Sequence, residues 1–147
     1  MSSVELDNLV RIGKLKREPC SRHEFVGLLR SGATRLEDAR NSQLSFESRF
    51  DLAYNAAHAL ALAALRRRGY RSDNRYLVFQ ALPHTLDLPP TTWRVLAKAH
   101  ERRNLAEYEG ELDVDERLYA DVLDAAERVL AAVRALTPPD SAAKEPS

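Results

Sequence analysis

The chain has 147 residues, a length that suits one domain around one hydrophobic core. Apolar residues make up 44% and charged residues 30%, with few glycines and aromatic residues, a composition that favours helices over strands. Lys plus Arg and Asp plus Glu number 22 each, so the net charge gives no argument for a nucleic acid or a membrane as partner. Cys20 is the only cysteine, which excludes an intramolecular disulfide framework and a zinc site built on several thiolates.

The ends of the chain differ from its middle. Residues 1–17 are polar and lack the apolar core of a signal peptide, and no apolar run is long enough to span a bilayer. We therefore expect a cytoplasmic protein without membrane association. The composition predicts an N-terminal extension over residues 1–20, a helical domain over 21–136 and a disordered tail over 137–147.

Two helices are predicted in the first half of the domain. Ser21 and Glu24 match the capping-box pattern, and apolar residues then recur at spacings of three and four, which predicts a helix over residues 22–40. Ser45 is a second N-cap candidate before an uninterrupted apolar, alanine-rich stretch over 46–68, which stops at the next residue, a glycine. Because this second helix is apolar nearly all round, we expect it to lie centrally.

Three further helices are predicted in the second half. Residues 76–79 form a short apolar run that we interpret as a short helix. A pair of prolines opens a fourth helix over residues 90–107, with Gly110 as its end. Asp113 is the N-cap candidate of a fifth helix, whose apolar stripe continues to Leu136. The predicted fold is therefore all-α, an up-and-down bundle of four to five helices.

The end of the fourth helix carries a polar cluster. Its residues continue the apolar stripe begun by Leu96 at helical spacing, so they are expected to face a cleft or a partner. Two interpretations stay open for its arginine, namely an internal ion pair with Glu107 or contact with an anionic ligand. The candidate ligand-binding residues are His100, Arg103, Asn104, Glu107 and Tyr108.

An arginine followed directly by asparagine near the end of a late helix resembles the motif of the HEPN superfamily. The segment from Arg103 to Tyr108 is similar to the arginine, acidic residue and tyrosine pattern of small stand-alone members. The aromatic and alanine-rich helix from Tyr54 to Leu65, which also ends in a glycine, is similar to their central helix. The resemblance covers roughly residues 21–136. It implies a bundle of four or five helices, a homodimer with two motif helices facing one cleft, and functions from RNA cleavage to nucleotide or partner binding, often in toxin-antitoxin or antiviral modules.

The chain departs from the ribonuclease members of that superfamily at one position. Those members place a histidine a few residues beyond the motif arginine, whereas residues 105–110 contain none. The preferred hypothesis is therefore a non-catalytic module that binds a nucleotide, RNA or a partner protein, without cofactor or metal. The alternative is a metal-independent endoribonuclease with Arg103 and an atypical proton carrier, His100 or Tyr108, although a phenol with a pKa near 10 carries protons poorly at neutral pH.

A second cluster follows the central helix. Five arginines in ten residues form a predicted basic patch: Arg66, Arg67, Arg68, Arg71 and Arg75. Cations near a helix C-terminus complement the macrodipole, which is one interpretation, and contact with phosphate or RNA is the other. Whether this patch adjoins the arginines of the fourth helix is left open. His58, alone among alanines, is interpreted as a hydrogen-bonded packing residue, and no pair of His or carboxylate side chains shows a metal-ligand spacing.

Overall fold

The computed structural model describes residues 3–140 and consists mainly of helices around one core. The elements in chain order are α1 (Val4–Arg11), β1 (Lys16–Arg17), α2 (Arg22–Ala39), α3 (Phe46–Arg67), β2 (Tyr70–Arg71), α4 (Arg75–Gln80), α5 (Leu82–Thr85), α6 (Pro90–Glu109) and α7 (Glu116–Arg134). The predicted all-α bundle is confirmed, with α2, α3, α6 and α7 as its long helices. Residues 137–140 form neither helix nor strand, and residues 141–147 of the predicted tail lie outside the described part.

Local capping signals set the starts of three long helices. The side chains of Ser21, Ser45 and Asp115 each accept a hydrogen bond from the backbone N–H three residues further on. The predicted cap at Asp113 is therefore wrong, because its carboxylate lies on the solvent side and receives a hydrogen bond from Arg102 instead. Helix α6 ends as predicted at Gly110, whose φ of 74° is the left-handed conformation that glycine adopts without a Cβ clash.

Helix α3 occupies the centre of the bundle and packs against α2, α4, α5, α6, α7 and β2. Its alanines allow close approach of neighbouring helices. At the contact with α2, a Cβ added to Gly32 would lie 2.5 Å from Leu60 Cγ, so only a glycine fits there without movement. The expectation of a central second helix is confirmed.

The segment before Ser21, expected as an extension, takes part in the fold. Leu6 and Leu15 belong to the hydrophobic core and are 1% and 3% exposed. Strand β1 pairs antiparallel with β2, and the hydroxyl of Tyr70 donates a hydrogen bond to Asp7. Among the described residues, no helix is both long and apolar enough to cross a membrane.

Candidate functional site

Tyr54 of α3 connects the central helix to the polar cluster on α6. Its hydroxyl lies 2.8 Å from Nδ1 of His100, and the two rings are stacked. The second ring nitrogen of His100, Nε2, lies 3.2 Å from the side-chain nitrogen of Asn104. Because an amide nitrogen only donates, Nε2 accepts here, and a neutral ring then carries its proton on Nδ1, directed at Tyr54. Both ring nitrogens of His100 are thus held by neighbours.

The surroundings of His100 favour its neutral form. Partial burial lowers the pKa of His100, and the nearby positive charge of Arg75 lowers it further. At neutral pH the imidazole therefore acts as a hydrogen-bonding group rather than as a cation.

Arg103 is paired with a residue of α3. Its Nε lies 2.6 Å from Oδ1 of Asp51, and its guanidinium carbon lies 5.7 Å from the centre of the Tyr54 ring. The Nε–H is buried without an aligned acceptor, so the contact with Asp51 is an ion pair rather than a directed hydrogen bond. The internal pair with Glu107 considered from the sequence is not formed. Glu107 is exposed, because the last turns of α6 project beyond the core.

Arg75 of α4 reaches the same aromatic ring. Its guanidinium carbon lies 5.5 Å from the centre of the Tyr54 ring, and its Nη1 donates a hydrogen bond of 2.9 Å to Asn55. The side-chain nitrogen of Asn55 in turn donates to the backbone carbonyl of Asp51. Two guanidinium groups, Arg75 and Arg103, therefore approach one ring, an arrangement stabilised by cation–π attraction. One member of the predicted basic patch adjoins the motif helix in this way.

His58 lies one turn after Tyr54 on α3 and packs edge-to-face against Phe79, with ring centres 5.9 Å apart. Burial lowers its pKa to about 4, and the charge of Arg75 adds to the shift. Among the described residues no hydrogen bond to its ring is found. The packing part of the sequence prediction therefore agrees with the geometry, and its hydrogen-bond part does not.

The predicted single cleft is divided between two grooves. We call the first the α4–α6 groove; its volume is about 260 Å³ and its lining is Tyr76, Ala97, His100, Glu101, Asn104, Leu105 and Tyr108. We call the second the α3–α6 groove; its volume is about 640 Å³ and its lining is Leu44, Ser45, Glu47, Ser48, Asp51, Leu52, Arg103 and Leu112. Of the five candidate ligand-binding residues, three line the first groove and Arg103 lines the second. Glu107 lines neither, and the side chain of Tyr54 joins the two.

The first arginine of the predicted basic patch is not at the surface. Arg66 is fully buried and donates two hydrogen bonds to the carboxylate of Glu24. Arg71 pairs with the same carboxylate and with Glu18. The hydrogen bond from Arg66 is the main cause that lowers the pKa of Glu24. Glu24, the second residue of the predicted capping box, therefore pairs with the buried Arg66 and the partly exposed Arg71.

The other arginines of the patch lie in different surroundings. Arg67 donates to the backbone carbonyl of Thr137, and Arg68 donates to that of Thr85. With Arg66 and Arg71 neutralised by carboxylates and Arg75 turned towards Tyr54, the five residues do not form one positive surface. The fold separates them because successive helix residues point in directions about 100° apart.

Sequence reasoning missed the contributions of α3 to the site. Asp51 and Asn55 were not singled out, and Tyr54 was named only as the start of the segment that resembles the HEPN central helix. A signal was present, since Asp51, Asn55 and His58 are polar residues at spacings of four and three in an otherwise apolar, central helix. Polar groups on a buried helix need partners, so this row indicated a site.

Within residues 3–140, no three or more His, Cys, Asp or Glu side chains lie close enough together to hold a metal ion. Comparisons of the chain with protein-family models, with curated proteins and with solved structures gave no match.

Proposed function

We propose that this chain is a non-catalytic, HEPN-like binding module whose α4–α6 groove holds a nucleotide or a segment of RNA. One observation carries the proposal: the groove places a neutral His100 and the amide of Asn104 beside two exposed tyrosines. Tyr76 is 42% exposed and Tyr108 is 89% exposed. Together with Leu105, which is 44% exposed and lines the same groove, they form one apolar and aromatic patch, and a contiguous patch of this kind marks a ligand or partner site.

The chemistry of the groove suits a flat, polar ring. Tyrosine rings stack on bases of any sequence, and an amide offers both a donor and an acceptor to a base edge. A volume of about 260 Å³ is below the usual range for drug-sized ligands, roughly 300–1,000 Å³, so we expect one base rather than two. Arg103, in the adjacent α3–α6 groove, is our candidate for a phosphate contact, in which its guanidinium would be shared between the phosphate and Asp51.

The proposal includes a homodimer in which the α6 helices of two copies face each other. Leu105, 44% exposed, and Tyr108 are apolar or aromatic surface on that helix, and covering them would remove apolar area from water. A monomer at micromolar concentration in light scattering would contradict this part. The resemblance to the HEPN superfamily also leads us to place the module in a toxin-antitoxin or defence system. In such a system a partner protein is the alternative to a nucleotide or RNA as ligand.

One observation favours a second function, metal-independent RNA cleavage. His100 is kept neutral and is oriented by Tyr54 and Asn104, one helical turn before Arg103. A neutral imidazole accepts a proton, and an arginine nearby stabilises charge on a phosphate. Tyr108 is the weaker alternative proton carrier, because a phenol transfers protons poorly at neutral pH.

A binding and cleavage assay in metal-free buffer tests both functions. Wild type, His100→Gln and Arg103→Ala are incubated with a labelled RNA oligonucleotide, and retention and cleavage are scored on one gel. Arg128→Ala is the matched control, because Arg128 forms an exposed ion pair with Asp124 on α7. Thermal melting of each variant checks the fold, since Arg103→Ala leaves Asp51 without its partner.

Retention without cleavage, weakened in both site variants but not in Arg128→Ala, is the expected result. Cleavage that is lost in His100→Gln would replace the binding module by a ribonuclease. Absence of both retention and cleavage would overturn the nucleotide or RNA ligand and leave a protein partner.

A further inference from the structure

A row of cations lies outside both grooves. Arg94 and Lys98 are four residues apart on α6, so they project from the same side, about 6 Å apart along the helix axis. Arg117 of α7 faces them across a third groove of about 330 Å³. All three side chains are exposed. We call Arg94, Lys98 and Arg117 the cationic row.

The charges of the cationic row are not neutralised by ion pairs. Within residues 3–140 none of its members forms a salt bridge, whereas the next arginine along the same side of α6, Arg102, pairs with Asp113. Two carboxylates line the third groove: Asp115 and Asp121. Asp115 is already engaged as the N-cap of α7. Three cations and two carboxylates therefore leave one excess positive charge at the third groove, on a chain whose net charge is zero.

Aromatic side chains connect the cationic row to the α4–α6 groove. The guanidinium carbon of Arg94 lies 5.8 Å from the centre of the Trp93 ring. Trp93 packs edge-to-face against Tyr76, with ring centres 6.0 Å apart, and Tyr76 lines the α4–α6 groove. The cationic row and these rings therefore lie side by side along α6, and the exposed carboxylate of Glu101 lies beside them in the lining of the α4–α6 groove.

We infer that a single-stranded nucleic acid crosses the outer face of α6, with its phosphates on the cationic row and a base stacked at Tyr76. Stacking rings beside a positively charged track are the features that bind single strands without sequence preference. An acidic peptide would use the cations but has no flat rings to place on Trp93 and Tyr76. The inference deepens the proposed function at Tyr76, but the cationic row shares no residue with the α4–α6 groove.

Salt dependence of binding is the measurement that isolates the phosphate contacts. Each phosphate neutralised on a single strand adds about −0.7 to the slope of log affinity against log salt, so three contacts give a slope of about −2. Between 50 and 200 mM salt, the cationic row is then expected to account for about a 20-fold loss of affinity. The probe is a fluorescein-labelled oligouridine of about twelve nucleotides, followed by fluorescence anisotropy.

The test variant combines Arg94→Gln, Lys98→Gln and Arg117→Gln. It should bind the oligouridine more weakly at 50 mM salt, and its slope should be smaller in magnitude than that of wild type by about 2. The matched control removes the same charge from three exposed cations elsewhere: Lys14→Gln, Arg22→Gln and Arg30→Gln. This control should keep the wild-type slope. All six side chains are exposed, so both triple variants are expected to fold.

Three results would overturn the inference. The first is a wild-type slope in the test variant, and the second is an equal loss of slope in both triple variants, which would indicate non-specific attraction. The third is binding of polyglutamate but not oligouridine by wild type, which would make the row a site for acidic protein. A test variant that loses the slope while His100→Gln changes nothing would support the row and contradict the α4–α6 groove as ligand site.

Discussion

The buried guanidinium of Arg66 makes a quantitative prediction about stability. Its five N–H donors form five hydrogen bonds, two of them to Glu24 and three to the backbone carbonyls of Glu18, Pro19 and Tyr70. These bonds connect α3 to the start of α2, to the segment that follows β1 and to β2. Every donor is used and the side chain is 0% exposed. If the side chain is removed, water can therefore hydrogen-bond to its former partners only after the surrounding structure rearranges.

Truncation to Arg66→Ala removes one partner of a buried pair, a change that costs roughly 3–5 kcal/mol. Glu24 is 29% exposed, so water recovers part of the loss at its carboxylate, and we expect the lower end, about 3 kcal/mol. With an m-value of about 2 kcal/mol/M in urea, the unfolding midpoint should fall by about 1.5 M.

Urea denaturation followed by circular dichroism measures this effect, with Arg128→Ala as control. The control removes an exposed ion pair with Asp124 and should change the free energy of unfolding by less than about 1 kcal/mol. Equal midpoints for Arg66→Ala and Arg128→Ala would refute the reasoning, because they would show that the buried hydrogen bonds carry no more free energy than a solvated pair.

Further predictions use the same unfolding assay. His58 has a pKa of about 4 in the folded state and about 6.5 in the unfolded chain, so the unfolded chain binds its proton more readily. As the pH falls from 7 to 4, the free energy of unfolding of wild type should therefore decrease by up to about 3 kcal/mol relative to His58→Gln. Parallel pH curves for the two proteins would contradict this. Gly32→Ala should lower the free energy of unfolding by about 1–3 kcal/mol, because its Cβ would clash with Leu60. Gly27→Ala, at a helix position with open space, should raise it by up to about 1 kcal/mol. Equal effects would show that close packing against Leu60 does not determine the effect at Gly32. Tyr54→Phe removes one hydrogen bond to the α6 histidine and should cost about 1 kcal/mol, and an unchanged stability would indicate that this bond is not formed in solution.

The elements were predicted well where the signal was local. The caps at Ser21 and Ser45 and the stop at Gly110 involve residues within one turn of the helix end, and all three have the expected geometry. The short helix over residues 76–79 is also present, as part of α4. The cap of α7 was misplaced by two residues because Asp113 and Asp115 are equally good N-caps by residue type. Their surroundings in the fold decide between them.

The partners of charged side chains were predicted poorly. Arg103 has a carboxylate four residues away, Glu107, yet it pairs with Asp51 from a different helix. Arg66 was assigned to a surface patch with its neighbours, yet it is buried beside Glu24, 42 residues earlier in the chain. In each case the direction of the side chain from its helix, and not the spacing along the chain, selects the partner.

The sequence alone determined the all-α class, the central place of the alanine-rich helix and most helix ends, because hydrophobic periodicity and capping act over one or two turns. Only the tertiary structure decided how the motif residues are grouped. It joins His100, Arg75 and Arg103 around Tyr54 and separates Arg66 from its neighbouring arginines. The physical reason is that ion pairs and ring contacts form between residues tens of positions apart, whose distance depends on how the helices pack and cannot be read from either segment.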